Sequence, residues 1–280
     1  MTVTVRPYGM ADFYLTSLTA GVRSLVGPYL RDAAARIVNP LSYPRLMEYQ
    51  LVIDMLGELN GLRVLDVGSP KLPILLIAQH ASCVLYATDI RDYFIGSTRH
   101  FLQRMGFGDR LGRTLHLEAQ DARQLTYDDA SFDRLYSISV IEHIPDDGDA
   151  EAMRELARVL RPGGRAVLTV PFDASGYREE FVTEDVYERE SHGAPTFYQR
   201  HYDTSAVMER LVEPSGLKLE QIVWFGEPHV RFERCWNAIP IKWKVPLLWA
   251  QPFLARLFLQ RLDKDQLSSA CGVAIALVKA

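Results

Sequence analysis

From Arg63 onward the sequence alternates short apolar, β-branched runs with segments of helical length, and this alternation limits the fold more than any other feature. An alternation of this kind implies a parallel sheet with helices on both faces. We therefore predict a doubly wound α/β domain. Its predicted strands are 63–68, 84–90, 115–119, 132–139, 165–170, 217–225 and 271–279, and its predicted helices are 72–80, 98–105, 149–160 and 203–211.

Three segments lie outside this alternation. Residues 1–60 hold apolar segments separated by Pro and Gly, which predicts an N-terminal helical lid ahead of a main domain at 61–280. Within it, residues 43–49 are expected either to close over a bound ligand or, preferably, to pack against the sheet. Residues 172–202 are rich in Tyr, Phe, Glu and His, and we expect an irregular substrate cap there. Residues 226–269 form a late insertion before the final strand.

The composition is that of an ordinary folded protein. Of the 280 residues, 48% are hydrophobic and 24% are charged, which excludes disorder as the main state. The net charge of −4 disfavours a surface built for nucleic acid. The three cysteines are far apart and form no CxxC pair, and no leader or membrane-spanning run is apparent, so we expect a cytoplasmic protein.

Acidic residues lie at the carboxyl ends of three successive predicted strands. Asp66, Asp89 and Asp121 stand at the ends of the first, second and third strands. Doubly wound sheets bind ligands outside the carboxyl ends of their strands, and a buried carboxylate needs a partner. The pattern therefore favours a ligand with hydroxyls, an amino group and a positive charge. Asp89 suits a ribose diol, and Asp121 suits an adenine amine, with the Ala122 N–H donating to the ring.

Five motifs occur in an order that resembles the class I S-adenosylmethionine-dependent methyltransferases. They are Arg63-Val-Leu-Asp-Val-Gly68, Ala87-Thr-Asp-Ile90, Gln120-Asp-Ala122, Phe132-Asp-Arg134 with Ile141-Glu-His-Ile144, and Leu160-Arg-Pro-Gly-Gly164. Each motif alone is weak, whereas the ordered set is specific, and it covers residues 60–225 and the final strand. The resemblance implies a Rossmann-like methyltransferase fold of seven strands, the last one antiparallel beside the sixth, with S-adenosyl-L-methionine as cofactor.

The resemblance also assigns cofactor contacts position by position. Asp66 and Gly68 would lie near the methionine moiety, Asp89 would hold the ribose, and Ile90 would pack on the adenine. The cofactor-binding residues predicted in this way are Asp66, Gly68, Ser69, Asp89, Ile90, Asp121, Ala122 and Ser139.

The turn after the first strand departs from the family pattern. It has one glycine, Gly68, where the family usually has a glycine-rich turn that lets the backbone approach the ligand. Ser69 is expected either to cap the next helix or, together with Lys71, to hold the carboxylate of the cofactor. The single glycine also leaves open a relative of the family without activity.

Two histidines are candidates for the base that an alcohol acceptor requires. His143 follows the fourth strand, where the family geometry would face it toward the methyl group, and a structural role is the alternative. His201 lies in the predicted cap, where Tyr198, Arg200 and Tyr202 would form an acceptor wall, and loop packing is the alternative. No metal is predicted, because histidines, cysteines and carboxylates show no ligand spacing.

The late insertion combines tryptophans, basic residues and an apolar stripe at helical spacing. Two interpretations of residues 240–262 stay open. Either the stripe packs on the domain or forms a homodimer, or it lies on a membrane surface as an interfacial helix. The residues concerned are Trp243, Trp249, Leu254, Leu257, Phe258 and Leu262, and Trp236 lies in the same insertion just before them.

We therefore predict a methyltransferase that acts on an oxygen of a small molecule, a sugar or a lipid-linked glycan, with no nucleic acid as partner. The enzymatic alternative is an NAD(P)-dependent oxidoreductase, since Asp89 also suits the ribose of NAD, although no G-x-G-x-x-G is present. The other alternative is a non-catalytic, membrane-associated protein that keeps the fold. The cytoplasmic location includes the inner face of the membrane if the insertion lies on lipid.

Overall fold

The computed structural model describes residues 9–69, 71–183, 185 and 194–280. It begins with three helices, α1 (Met10–Arg23), α2 (Leu30–Val38) and α3 (Arg45–Leu56). Most side chains of α3 are buried, and Tyr43 and Tyr49 are almost fully covered. Residues 43–49 therefore pack against the body of the domain, as preferred from the sequence.

The alternation predicted from the sequence is present, although the helix predicted at 98–105 begins at Asp92 and the strand predicted at 165–170 begins at Leu160. After α3 come β1 (Arg63–Val67), α4 (Lys71–His80), β2 (Val84–Asp89), α5 (Asp92–Arg104), β3 (Leu115–Ala119), β4 (Phe132–Ile138), α6 (Gly148–Val159) and β5 (Leu160–Pro171). The later elements of the sheet are β8 (Lys218–Gly226), β9 (Gln260–Leu262) and β10 (Ala270–Val278).

The strand order among the described residues is β3-β2-β1-β4-β5-β10-β8-β9. The five strands from β3 to β5 are parallel, and β10 runs antiparallel between β5 and β8. The predicted antiparallel last strand is thus confirmed. The sheet has one strand more than predicted, because the insertion adds the short β9 at the edge of β8.

Helices cover both faces of the sheet, as the doubly wound prediction requires. Successive residues of β1 serve opposite faces, since Val64 joins one apolar cluster and Leu65 the other. The first cluster includes side chains of α1 to α5, and the second includes side chains of α6 and of the helical run 204–215. That run consists of α7 (Thr204–Ala206), a π-helical stretch (Val207–Val212) and α8 (Glu213–Ser215).

The segment after β5 differs from the irregular cap expected from the sequence. Its described residues form an antiparallel hairpin of β6 (Arg178–Val182) and β7 (Thr196–His201). Residues 184 and 186–193 of the predicted cap lie outside the described residues. The two strands contain Phe, Tyr, Thr and Val, which favour strands, although the charged residues among them obscure the period of two.

The late insertion is mainly helical. It contains α9 (Phe232–Ala238), α10 (Ile241–Lys244), a 3-10 stretch (Val245–Ala250) and α11 (Gln251–Phe258). The insertion leaves the sheet at Gly226 and returns at Ala270, and these two residues are paired. Because β8 is parallel to β5, the insertion lies at the carboxyl edge of the sheet.

Candidate active site

A pocket of about 360 Å³ opens at the carboxyl ends of the central parallel strands. This is the edge at which doubly wound sheets bind their ligands. The pocket is lined by Val67, Gly68, Thr88, Asp89, Ile90, Arg91, Phe94, Gln120, Asp121, Ala122, Arg123, Ser139, Val140, His143, Ile144 and Pro145. The pocket thus brings together six of the eight predicted cofactor residues and one of the two predicted bases. Asp66 and Ser69 are buried and do not line it.

Asp66 is fully buried at the end of β1. Its Oδ1 accepts from the Ser69 N–H at 2.9 Å, and its Oδ2 has no hydrogen-bond partner among the described residues. Burial raises the pKa of this carboxyl to about 7, while the hydroxyl of Tyr136 and the Ser69 N–H oppose the shift. Asp66 therefore shapes the first turn, and it does not itself line the pocket.

The turn with a single glycine closes through the Ser69 side chain. Gly68 has a φ of +66°, and a Cβ there would lie 2.8 Å from Cγ1 of Val140. Ser69 is buried, and its Oγ accepts from the Ile138 N–H at 3.0 Å. The Ser69 oxygen thus binds β4, while its hydroxyl proton can still be donated, so both expected roles of this side chain stay predictions. The side chain of Lys71 lies outside the described residues.

Asp89 and Ile90 form the rim of the pocket at the end of β2. Asp89 lines the pocket, and its Oδ1 accepts from the Arg91 N–H at 2.9 Å. Ile90 lines the same pocket with 66% of its surface exposed. An apolar side chain so exposed beside a carboxylate is suited to cover a flat ring next to a bound diol.

Asp121 lines the pocket but is also paired with a basic neighbour. Arg123 donates from Nη2 to Oδ2 of Asp121 at 2.7 Å and from Nε to Oδ1 at 3.1 Å. These hydrogen bonds hold the pKa of the Asp121 carboxyl below its usual range. Arg123 was not anticipated from the sequence. It fixes the carboxylate in its ionised, hydrogen-bond-accepting form beside Ala122.

The N-terminal helix α3 supports the pocket wall through Glu48, which contacts the lining residue Ser139 and does not itself line the pocket. Ser139 has a φ of +49° and donates from Oγ to Oε1 of Glu48 at 2.6 Å. Arg45 donates to the other oxygen of Glu48 at 2.7 Å. The sequence analysis considered both residues only as part of the segment 43–49 and gave neither a role at the site. A buried carboxylate needs a partner, but the sequence does not show that Glu48 is buried.

His143 lies in a 3-10 turn (Ile141–His143) after β4 and lines the pocket. Its Nδ1 lies 2.8 Å from the main-chain carbonyl of Tyr198. A carbonyl only accepts, so Nδ1 carries the proton and Nε2 carries the lone pair in the neutral ring. Nε2 lies 3.7 Å from Oε1 of Glu142, a buried carboxyl whose pKa burial raises to about 8.

His201 lies away from the pocket, contrary to its predicted role. Its Nε2 lies 3.0 Å from Oε2 of Glu180 and 3.1 Å from Nε2 of Gln199, within the β6–β7 hairpin. Side chains alternate along β7, so His201 shares a face with Gln199, and His143 meets the chain at Tyr198 through the main chain. The geometry of the hairpin therefore favours His143 over His201 as the base.

The predicted acceptor wall is also corrected in two of its three members. Arg200 is fully buried and donates to the carbonyls of Ile144 and Asp146. Tyr202 is fully buried and donates to Oδ2 of Asp149 at 2.9 Å. Both fasten the hairpin to the segment after β4, and neither lines the pocket. Tyr198 has its ring centroid 5.2 Å from that of His143 and stays a predicted acceptor contact.

Comparison with known proteins agrees with this geometry. Residues 65–168 match the family model described as a methyltransferase domain. This match spans β1 to β5 and therefore includes the pocket. The part of the chain that carries the pocket is therefore similar to a methyltransferase domain. The pocket at the carboxyl edge holds the positions that the resemblance assigned to the cofactor, except for Asp66 and Ser69.

Two curated relatives share part of the chain. Methyltransferase GfsG from Streptomyces halstedii is 30% identical over 132 residues, which is 47% of this chain and 45% of the relative. The 27-O-demethylrifamycin SV methyltransferase of Amycolatopsis mediterranei is 47% identical over 115 residues, 41% of this chain and 40% of the relative. The matches thus span less than half the length of these relatives.

The fold extends beyond the matched segment. The crystal structure of the 4+2 cyclase SpnF is similar over 96% of this chain and 94% of its own, with a TM-score of 0.55 and 17% identity. At that identity the likeness shows the methyltransferase fold alone. Among the described residues, no group of three or more His, Cys, Asp or Glu side chains is placed to hold a metal ion.

Proposed function

We propose that this chain transfers a methyl group from S-adenosyl-L-methionine to an oxygen of a small molecule, a sugar or a lipid-linked glycan. The observation that carries the proposal is that Asp89, Asp121 and His143 line one pocket. Asp89 and Asp121 can accept hydrogen bonds from the hydroxyls and the amine of an adenosine. His143 can take the proton of an acceptor hydroxyl. The 27-O-demethylrifamycin SV methyltransferase, by its name, also acts on an oxygen.

The residues present fit S-adenosyl-L-methionine. The volume of about 360 Å³ is in the range of small-molecule sites. Asp89 would hold the ribose hydroxyls, the exposed Ile90 and the Ala122 backbone would meet the adenine, and Gly68 would lie beside the methionine end. The sulfonium of the bound cofactor supplies an activated methyl group.

His143 is proposed as the base. The Tyr198 carbonyl oxygen lies 2.8 Å from Nδ1 and accepts its proton in a hydrogen bond. This bond turns the opposite ring nitrogen, Nε2, and its lone pair away from the hairpin. Nε2 would take the proton of the acceptor hydroxyl as that oxygen receives the methyl group. Such a base typically contributes 10²- to 10⁴-fold to the rate, in addition to the alignment of the two reactants.

A second candidate function follows from the cyclase. SpnF is a fold neighbour that is named for a cyclisation and matches almost the whole chain. A fold does not determine the reaction it supports. In that case the chain would catalyse a cyclisation on the methyltransferase fold instead of methyl transfer, which differs from the alternative of a non-catalytic protein.

The test begins with calorimetric titration of the protein with S-adenosyl-L-methionine and S-adenosylhomocysteine, with NAD as control. Micromolar binding of the first two and none of NAD is expected. Transfer of a labelled methyl group is then measured with 27-O-demethylrifamycin SV and a panel of sugars and glycolipids. Cofactor binding without transfer to any oxygen acceptor would favour the second candidate, and preferential binding of NAD would contradict both.

A further inference from the structure

The late insertion carries an apolar surface that the rest of the protein does not cover. We define the insertion face as Trp243, Val245, Leu247, Trp249, Phe253 and Leu257, all of them exposed. Trp243 is 65% exposed, Phe253 60% and Leu257 64%. Tyr14 of α1 borders this surface, since its ring lies 5.9 Å from that of Trp249 and 6.4 Å from that of Phe253.

Helix α11 is apolar on two sides, and only one of them is needed for folding. Ala255 is buried, and Leu254 and Phe258 pack against the core. Phe253 and Leu257 are four residues apart, lie on a common helical side and face away from that core. The stripe predicted from the sequence thus packs on the domain in part, while a second apolar side remains for another surface.

The charge of the insertion indicates what this surface meets. From Arg234 to Leu262 the sequence contains no Asp or Glu, although the whole chain has a net charge of −4. Arg234 and Arg256 are exposed. The basic residues in this stretch are Arg234, Lys242, Lys244, Arg256 and Arg261. Exposed tryptophans beside apolar and basic residues are the composition of an interfacial membrane segment.

We propose that the insertion face binds the surface of an anionic phospholipid bilayer. A second copy of the chain is a poorer occupant, because a two-fold dimer through this face would bring two acid-free, basic segments together. None of the helices in the described residues is long and apolar enough to cross a bilayer. Contact therefore takes place at the surface, where basic side chains meet lipid phosphates and the apolar ones enter the boundary of the acyl chains.

The position of this face gives the contact a consequence for the pocket. The insertion begins at Gly226 and ends before Ala270, at the same carboxyl edge of the sheet that carries the pocket. The Tyr43 N–H, just before α3, donates to Oε1 of Gln251 in α11 at 2.9 Å. Binding of the insertion face to a bilayer thus places the pocket edge near lipid-linked molecules, independently of whether the methyl transfer itself occurs.

The experiment is flotation of the full chain with vesicles of phosphatidylcholine alone and of phosphatidylcholine mixed with phosphatidylglycerol. We expect binding to the mixed vesicles only, weakened by added salt, with a blue shift of tryptophan fluorescence. The double variant Phe253→Ser/Leu257→Ser should lose at least tenfold in vesicle partitioning, and Arg256→Glu should also weaken it. Phe181→Ser, at a phenylalanine that is 53% exposed on the cap hairpin, is the matched control and should bind normally.

The possible results distinguish a bilayer from a second copy of the chain as the partner of the insertion face. Equal binding to neutral and anionic vesicles, or no binding to either, would overturn the proposal. A dimer in sedimentation velocity that Phe253→Ser/Leu257→Ser converts to a monomer would assign the face to a second copy instead. Circular dichroism and thermal unfolding of each variant confirm that the fold is kept, which these exposed positions should allow.

Discussion

His143 and Tyr198 are joined by a hydrogen bond of 2.8 Å from the imidazole Nδ1 to a main-chain carbonyl. This bond connects the turn after β4, at the wall of the pocket, with strand β7 of the cap hairpin. It sets the tautomer of the histidine, because the carbonyl can only accept. The hairpin therefore prepares the proposed base, although its own histidine, His201, is paired with Glu180.

The exchange His143→Gln should reduce the rate of methyl transfer to an oxygen acceptor by about 10²-fold or more while leaving cofactor affinity within a few-fold. Glutamine keeps a polar side chain of similar reach but cannot take the proton. Stopped assays with labelled cofactor measure the rate, and calorimetry measures the affinity. His201→Gln is the matched control and should retain activity. Full activity of the His143→Gln variant would contradict the assignment of His143 as the base.

The exchange Asp89→Ala should weaken binding of S-adenosyl-L-methionine by more than tenfold, roughly 1.4 kcal/mol or above, because it removes the acceptor of the ribose hydroxyls. The measurement is calorimetric titration. Asp109→Ala, at an exposed turn outside the pocket, is the control and should bind as the unmodified protein does. Unchanged affinity in Asp89→Ala would contradict the ribose assignment.

The exchange Gly68→Ala should destabilise the protein and weaken cofactor binding. Alanine is strained at a φ of +66°, and its Cβ would lie 2.8 Å from Val140. Gly61→Ala provides the comparison, since Gly61 has a φ of +76° with open space around the added methyl. Both variants should lose about 1 kcal/mol from backbone strain, and Gly68→Ala should lose more in urea denaturation. Equal losses would show that Val140 moves aside without cost.

The exchange Arg200→Leu should lower the free energy of unfolding by about 3 kcal/mol, because Arg200 and Asp149 are both fully buried with 3.6 Å between Nε and Oδ2. The exchange would also remove the hydrogen bonds that Arg200 donates to the carbonyls of Ile144 and Asp146. Arg178→Leu, at an exposed ion pair with Asp173, should cost less than about 1 kcal/mol. Urea denaturation measures both. Similar small losses would mean that Tyr202 and Arg210, which also donate to Asp149, hold this carboxylate without Arg200.

Protein stability should fall as the pH rises from about 5 to 8, in part because of Glu142. Burial raises the pKa of this carboxyl from an ordinary 4.5 to about 8, so the folded state keeps a proton that the unfolded state has lost. The contribution of Glu142 to the free energy of unfolding is therefore complete below pH 4.5 and is lost as the pH rises to about 8. The free energy of unfolding falls by at most about 1.4 kcal/mol per pH unit from this group.

The exchange Glu142→Gln tests this pH dependence, because the amide does not titrate. Between pH 5 and pH 8 the variant should lose at least about 1 kcal/mol less stability than the unmodified protein, as measured by urea denaturation at both pH values. Glu209→Gln, at an exposed helical position, should follow the unmodified protein. Parallel losses in all three proteins would assign the pH dependence to other groups. Asp66, with a pKa raised to about 7, is the first of these.

The order of strands and helices and the positions of Asp89 and Asp121 were predictable from the sequence. Local periodicity and turn residues determine where each strand ends, and a parallel sheet brings those ends to one edge by geometry alone. The antiparallel final strand followed from the resemblance to the family. These features depend on the identity of neighbours along the chain, which the sequence contains directly.

Other features depended on contacts between residues far apart in the chain. Glu48 reaches Ser139 across 91 positions, and the Ser69 hydroxyl oxygen accepts from β4. Along β7, the alternation of side chains buries Arg200 and turns His201 away from His143. No local pattern encodes such partners, because burial and the facing strand decide which polar groups are satisfied. The sequence alone thus determined the fold and the pocket edge, and the tertiary structure decided which of the candidate side chains line the pocket.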